Sequence, residues 1–493
     1  MIPIPETSGQ RLAILGFGRS GLAVARALES GGADVLCWDD DPEVREMAAG
    51  SGFGILPTVG DDDWKGVAGL AGLIVSPGVP HLYPEPHPLI RKAWVHGVAV
   101  DNDVGLFFRA LVRPEWDEFD VLPRVVCVTG SNGKSTTTAL IGHLLASAGK
   151  PVQVGGNIGR AVLDLDPPGD GEIVVLELSS FQIELARVLA PDIALFLNFS
   201  PDHIERHGGA GGYFAAKRRL FAEGSPEKTV IGVDEPEGES LAGGFGNQSV
   251  EQGPLIRVST RRLSENGGWS VIAERGFLSE RRSGRQLASA DLRELDGLKG
   301  LHNHQNACSA WAACRLLGLS PRNIRSGLAS FRGLPHRCQT ILEHGGVLFV
   351  NDSKATNADS ASRALAAYRN IRWIAGGRAK SGGIASLGRV LDRVRKTYLV
   401  GESAETFSEQ LGDRSKVISG TVAAAVAAAA AEAESGDVIL LSPAAASYDQ
   451  FASFEDRGDT FVRAVATVTG TAIRSESETV PPSVSGQPGP ALS

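Results

Sequence analysis

No run of apolar residues in this 493-residue chain approaches the ~18 that cross a bilayer, so membrane insertion is not expected. The stretch Met1 to Gln10 has no basic region leading into an apolar one, so no secretory signal is read there. Cysteine is scarce: Cys37, Cys127, Cys308, Cys314 and Cys338 are scattered, odd in number and never spaced C-x-x-C. That pattern argues against a disulfide framework and a zinc site, and it points to the cytoplasm. Basic residues are outnumbered, 48 Lys and Arg against 57 Asp and Glu, and no basic stripe offsets the net charge of -9, so a nucleic-acid partner is not expected. What remains is ordinary for a soluble globular enzyme, 42% hydrophobic and 21% charged residues. The length suggests roughly three domains of about 150 residues each, and the expected state is a monomer.

Three series of strands alternating with helical periodicity predict an α/β protein with parallel sheets. The first runs through Leu12 to Gly16, Asp34 to Trp38 and Gly72 to Ser76, giving a Rossmann-like domain over 1–110. A charged, proline-containing linker is read at Arg113 to Asp120. The second series, in a domain over 111–333, holds strands at Val125 to Val128, Val174 to Leu178 and Ile193 to Asn198, with a less regular β-rich portion from Thr229 to Leu292; a P-loop-like mixed sheet is expected. The third, Rossmann-like again, occupies 334–474 with strands at Val347 to Val350, Arg372 to Ala375, Tyr398 to Val400 and Val438 to Leu441. Its alanine-rich piece from Val422 to Ala433 is read as a helix, because alanine is the best helix former. The remainder, 475–493, is rich in Ser, Pro, Gly and Glu and is read as a disordered tail.

The chemistry is concentrated between the second domain's first strand and the helical run Leu140 to Leu145. There Gly130-Ser131-Asn132-Gly133-Lys134-Ser135-Thr136 makes a strand, glycine loop and helix arrangement. Glycines let backbone N–H groups approach phosphates, and the helix N-terminus adds partial positive charge. Lys134 reaches the β and γ oxygens, and the Ser135 hydroxyl ligates Mg²⁺. ATP is the implied fuel. At two residues shorter than the usual spacing, the loop is a variant of the P-loop.

A second glycine loop, Gly16-Phe17-Gly18-Arg19-Ser20-Gly21, follows a strand and precedes a helix, with Asp39 and Asp40 ending the next strand. It suits a dinucleotide or another diphosphate-linked nucleoside, or a mere close strand–helix turn. Glu177 stands in an apolar strand, where an unpaired charge costs several kcal/mol. Its partner is either Mg²⁺, shared with Ser135, or a salt-bridging Lys or Arg. His203 follows the Ile193 to Asn198 strand at the sheet edge where ligands bind in open α/β folds.

Taken in order, Gly130 to Ser135, Gly155 to Gly159, Glu177 to Gln182, Asp202-His203 and Ala215 to Lys217 resemble the Mur ligase family of peptidoglycan synthesis. Further matches at Gly300 to Asn306, Leu334 to Arg337, Asn351 to Asn357 and Leu441 to Phe454 resemble its D-glutamate-adding branch. The resemblance runs from about Leu12 to Arg474.

It implies ATP-dependent amide formation between UDP-N-acetylmuramoyl-L-alanine and D-glutamate through an acyl phosphate. It implies that the Gly16 to Gly21 loop, Asp39 or Asp40, Ser76 and Asn157 serve the UDP-sugar. Gly130 to Thr136, Asn303, Asn306, Arg337 and Asp352 would serve ATP. Ser135, Glu177, His203 and Lys217 would surround two Mg²⁺ ions, Lys217 as a carbamate. Lys134, His203 and Lys217 would carry the catalysis, and Lys354, Thr356, Lys380, Ser447 and Phe454 would receive D-glutamate.

Departures from the family pattern are Arg378-Ala379 before Lys380, and Gly105, where relatives often carry Glu and where the acidic task either falls to Asp103 or Asp101 or is absent. The Asp-Asn-Pro-Arg motif of the diaminopimelate-adding branch is absent. The rival readings are another Mur-type or a folylpolyglutamate-type ligase, a nicotinamide-linked oxidoreductase resting on the first glycine loop alone, and a non-catalytic binding protein.

Overall fold

A computed structural model describes residues 1–473 apart from 59–62, 112–118, 203, 246–254, 264–267 and 381. His203, most of the linker reading and the 475–493 tail therefore lie outside the described residues. The chain forms two compact units, Met1–Phe331 and Arg332 onward.

The first unit contains two sheets. One has the parallel order β3-β2-β1-β4-β5, built from β1 (Arg11–Leu15), β2 (Asp34–Trp38), β3 (Gly54–Ile55), β4 (Gly72–Val75) and β5 (Ala99–Asp101). The other has nine strands: β6 (Arg124–Thr129), β7 (Val152–Gly156), β8 (Ile173–Glu177), β9 (Ile193–Phe196), β10 (Lys228–Gly232), β11 (Leu255–Ser259), β12 (Trp269–Glu274), β13 (Phe277–Arg282) and β14 (Arg285–Asp291). Its order is β14-β13-β12-β11-β10-β9-β6-β8-β7, parallel throughout except for the antiparallel β12–β13–β14 meander at one edge. The central strands β8 and β9 are buried along their whole length, as helices on both faces of a parallel sheet require. The two sheets share one apolar core in which Phe107 and Phe108 of the first pack with Leu163, Leu176 and Phe196 of the second.

The second unit carries β15 (Gln339–His344), β16 (Val347–Asn351), β17 (Ile371–Gly376), β18 (Val394–Val400), β19 (Lys416–Gly420) and β20 (Val438–Leu441) in the order β15-β16-β20-β17-β18-β19. All neighbours are parallel except β15 with β16. The alanine-rich segment forms the helix Val422–Glu432, begun by Thr421, whose hydroxyl accepts from Ala424 N. Among the described residues no helix is long and apolar enough to cross a membrane.

Gly105 is explained by its neighbour. A Cβ there would lie 2.0 Å from Asp101 Oδ1, so only glycine fits. Asp101 itself is buried, accepts from the backbone N–H of Asn102 at 2.9 Å and of Arg187 at 3.1 Å, and pairs with Arg109 at 3.1 Å. It thereby ties the first sheet to the second.

The β12–β14 meander is anchored by a buried charge with every donor in place. Glu280, fully buried on β13, accepts from Trp269 Nε1 at 3.2 Å, Trp311 Nε1 at 2.8 Å and Arg315 Nε at 2.9 Å. Removing the carboxylate leaves Arg315 Nε and two indole N–H groups without their acceptor and the guanidinium without its counter-charge. Glu280→Ala is therefore expected to lose about 3–5 kcal/mol of stability in urea unfolding followed by tryptophan fluorescence.

Candidate active site

Strand register sets the geometry. β6 pairs with β8 so that Val128 faces Glu177, and β7 pairs with β8 so that Gly156 faces Glu177. The carboxylate thus sits at the C-terminal end of the sheet, between the loops that follow β6 and β7, where open α/β sheets bind ligands.

The loop after β6 turns into the helix Lys134–Ser147 through Gly133, whose φ is +80°. A Cβ on Gly133 would fall 2.1 Å from Asn306 Oδ1, so the helix Leu301–Leu316 presses directly on the loop. The loop is braced from β9: Ser131 N donates to Asn198 O at 3.0 Å, Asn132 N to Asn198 Oδ1 at 2.9 Å, and Ser131 Oγ to Ser200 O at 2.8 Å. Lys134 Nζ donates to Gly130 O at 3.1 Å and to Ser131 O at 2.9 Å.

Lys217 Nζ reaches the same Gly130 O at 2.9 Å from the helix Ala210–Ala222. Its side chain is buried and its ammonium lies 4.4 Å from the Tyr213 ring centroid, one turn earlier. Burial and then the Lys134 charge push the Lys217 ammonium well below the ordinary lysine range, against the pull of Asp202 and Glu177.

Glu177 Oε1 accepts from Asn157 Nδ2 at 3.0 Å, while Oε2 is buried without a hydrogen-bond partner. Among the described residues it forms no ion pair; its polar neighbour is an amide. Asn303 and Asn306 are joined by an Asn306 Nδ2 to Asn303 Oδ1 bond of 3.0 Å. The structure therefore brings Lys134, Lys217, Glu177, Asn157 and Asn306 around one loop.

No cluster of three or more His, Cys, Asp or Glu is arranged for a metal among the described residues. The set nonetheless fits Mg²⁺, which takes one or two protein oxygens and fills its shell with water and phosphate. Glu177 Oε2 is such an oxygen, buried and uncommitted.

In the first sheet the glycine loop is closed from within: Ser76 Oγ donates to Gly16 O at 2.7 Å, and Phe17 N to Asp39 Oδ2 at 2.8 Å. Asp40 faces His87 Nε2 at 3.0 Å and accepts from Trp38 Nε1 at 3.3 Å. Arg19 is exposed and Ser20 half-buried in the first turn of the next helix. Asp103 lines the cleft behind this loop with Ser20 and Ser76, and burial raises its carboxyl to about 6.

In the second unit, Asp352 accepts from Ser442 Oγ at 2.7 Å and Cys338 N at 3.1 Å. Burial lifts its carboxyl to about 6 despite those bonds and the Arg337 charge. Lys354 Nζ lies 4.8 Å from the Phe454 ring centroid. Thr356 N donates to Lys354 O at 2.9 Å, so these residues meet. Ser447 is buried, whereas Lys380 is exposed on the loop after β17. Beside it, Arg378 pairs its backbone with Ala446 and its guanidinium with Glu402 at 3.1 Å.

Sequence reasoning missed Arg457, buried and donating to Ser353 Oγ at 3.0 Å, Ser353 O at 2.8 Å and Ala445 O at 3.0 Å. The available signal was its helical phase with Phe454, Phe461 and Val465 on the helix Phe454–Thr469.

The family model of the Mur ligase middle domain matches residues 128–314, and that of the Mur ligase, glutamate ligase domain matches residues 336–445. The chain is 60% identical to the UDP-N-acetylmuramoylalanine--D-glutamate ligase of Cereibacter sphaeroides over 94% of its own length and 99% of the relative. The chain belongs to the Mur ligase family. The identically named protein of Ruegeria pomeroyi is 58% identical over the same shares of the two chains. Among solved structures, the UDP-N-acetylmuramate-alanine ligase of Thermotoga maritima matches 93% of this Mur ligase and 99% of that chain, with a TM-score of 0.56 at 19% identity. A pseudomurein peptide ligase type C from Methanothermus fervidus matches 93% and 100%, with a TM-score of 0.54 at 18% identity. Those two likenesses speak to the fold alone, a three-domain α/β architecture.

As a Mur ligase the chain uses ATP, and the contact at Gly133 makes the loop sensitive to one methyl group. Gly133→Ala both strains a positive φ and drives Cβ onto Asn306. Calorimetric titration with ATP is expected to show affinity lowered at least about tenfold, equivalent to about 1.4 kcal/mol.

Proposed function

We propose that this chain joins D-glutamate to UDP-N-acetylmuramoyl-L-alanine at the expense of ATP, in peptidoglycan precursor synthesis. The observation that carries the reading is the set of relatives between 55% and 60% identical over nearly the whole chain, each named UDP-N-acetylmuramoylalanine--D-glutamate ligase.

A carboxylate is a poor electrophile, so the terminal L-alanine carboxylate first takes the γ-phosphoryl of ATP and becomes an acyl phosphate. Lys134 spreads the charge that develops on the transferred group. The D-glutamate amine then attacks, a tetrahedral intermediate forms, and phosphate leaves. His203 stabilises charge in that passage. Mg²⁺ held by Ser135 and Glu177, with a second ion near His203 and Lys217, would screen the phosphate oxygens.

For the remaining residues we assign Gly16, Phe17, Gly18, Arg19, Ser20, Asp39, Asp40, Ser76 and Asn157 to the UDP-sugar. The nucleotide falls to residues 130–136, Asn303, Asn306, Arg337 and Asp352. D-Glutamate falls to Lys354, Thr356, Lys380, Ser447 and Phe454, two of them lysines suited to two carboxylates. The corresponding domains are 1–110, 111–333 and 334–474, and the enzyme is read as a cytoplasmic monomer, a compartment to which its five free cysteines are suited.

Lys217 is read as a carbamate. A depressed ammonium is more often the neutral amine, the form that adds CO₂ and releases a proton. The carbamate nitrogen keeps an N–H for Gly130 O, and the charge beside Lys134 changes from repulsive to attractive. Activity is expected to fall on removal of CO₂ and to return with bicarbonate, and Lys217→Arg is expected to be nearly inactive. Wild-type turnover in Lys217→Arg would make Lys217 a purely structural residue.

The deciding experiment is phosphate release with UDP-N-acetylmuramoyl-L-alanine and D-glutamate, set against L-glutamate, meso-diaminopimelate and folate acceptors. D-Glutamate alone is expected to support turnover. Lys134→Ala is expected to abolish it while calorimetry still detects the sugar nucleotide.

A further inference from the structure

The two sheets of the first unit are joined by a polar clasp that the chemistry above leaves unused. The loop after β4 runs from Ser76 to His87, and its first part, Ser76 to Tyr83, faces the second sheet's segments. Arg206 donates to Gly78 O at 3.1 Å and Val79 O at 3.0 Å, with its guanidinium 4.8 Å from the Phe181 ring centroid. His81 Nε2 stands 3.1 Å from Glu184 Oε2, on the helix Ser180–Leu185. The same oxygen is 3.1 Å from His207 Nδ1, and His207 Nε2 is 2.9 Å from Ser180 Oγ. The His207 ring lies flat on Phe181, with centroids 5.0 Å apart at 7°.

One carboxylate oxygen facing two imidazoles calls for an N–H from each. His81 Nε2 and His207 Nδ1 both stand within ion-pair distance of that oxygen. Burial works against the Glu184 charge, yet the bonds and charges of His207 and His81 hold its carboxyl at about 2. The other charged groups near it are Arg206, with Glu205 beside it, and Arg219, which donates to Ile183 O at 2.8 Å, Ala186 O at 3.0 Å and the Glu184 carbonyl. The order Ser180, His207, Glu184 has the connectivity of a nucleophile relay, but Ser180 is 3% exposed and the imidazole is shut in. It is a joint.

The joint connects three segments of consequence. The 76–83 loop supplies Ser76, which closes the first glycine loop on Gly16 O. The Ser180–Leu185 helix starts three residues after Glu177. The 204–207 segment leads into the helix that carries Lys217. A substrate with a nucleotide at one end and a reacting carboxylate at the other is activated only if both ends are held at a fixed separation.

We propose that Glu184, gripped by His81 and His207, is a positioning residue of the ligase, fixing the nucleotide-side loop 76–83 against the helix next to Glu177 so that the sugar nucleotide is bound at its reacting length. The substrate's identity rests on the function proposed above; the clasp itself does not.

The test uses full-length Glu184→Gln and His81→Leu, with His81→Gln, which keeps an N–H donor, as the conservative variant. The first two are expected to raise KM for UDP-N-acetylmuramoyl-L-alanine at least tenfold, with kcat and the KM for ATP within about twofold. His81→Gln is expected to restore most of the affinity. Amide exchange in 76–83 is expected to quicken at least tenfold in the first two variants.

A folded Glu at about 2 lies below its ordinary value of 4.5, so its stabilisation is present above about pH 4.5 and is lost as pH falls through about 2. Wild type and Glu184→Gln should therefore converge in melting temperature over that range. An unchanged sugar-nucleotide KM in both disabling variants, or a fall in kcat alone, overturns the proposal. Should wild type fail to ligate, the functional reading falls, while amide exchange still decides the clasp: unchanged exchange in 76–83 overturns it.

Discussion

Two ammonium groups converge on the carbonyl oxygen of Gly130, and the phosphate site is built around the repulsion between them. Lys134 comes from the helix that the loop begins, Lys217 from a helix some eighty residues later in the chain. Lys217 feels the Lys134 charge against it and the Asp202 and Glu177 charges in its favour, and either the arrival of an anion or the loss of its own proton relieves the repulsion. An anionic triphosphate satisfies the first condition. The buried position of Lys217 favours the second. Affinity for nucleotide and the protonation of a residue behind the loop are therefore coupled through a single backbone oxygen.

Buried charge is treated in three ways in this molecule, and the differences separate scaffold from site. Glu280 has three donors and holds a meander in place. Asp352 has two and still resists ionisation until about pH 6. Glu177 has one amide and one idle oxygen at the end of a central strand. A fully satisfied carboxylate has no capacity left for a ligand. Of the three, Glu177 retains the most, one of its oxygens being idle.

Much of the fold was legible because buried central strands must be continuously apolar. Outside the β-rich portion from Thr229 to Leu292, where no individual strand was read, the strands passed over are β3, β5, β7, β15 and β19, and each of these lies at the edge of its sheet. An edge strand has a neighbour on one side only and tolerates polar residues, so it carries a weak signal: β19 reads Lys-Val-Ile-Ser-Gly with no residue fully buried. The phosphate loop was legible for the opposite reason, since strand, turn and helix are contiguous in the chain. The clasp was invisible because His81, Glu184 and His207 come from three separate segments, and an isolated histidine has no pattern to betray it. Arg457 and Lys217 fall between these cases. Each occupies the inward phase of an amphipathic helix, where a cation among apolar neighbours marks a buried polar contact even before its partner is known.

The contact between Gly105 and Asp101 bears on how this branch of the family can vary. With Asp101 Oδ1 filling the space that a side chain at 105 would need, neither position can change alone without a clash or an emptied cavity between the two sheets. A side chain introduced at 105 therefore has to be matched by a shorter or differently turned one at 101, and that change in turn releases Arg109 and the Arg187 N–H that Asp101 holds.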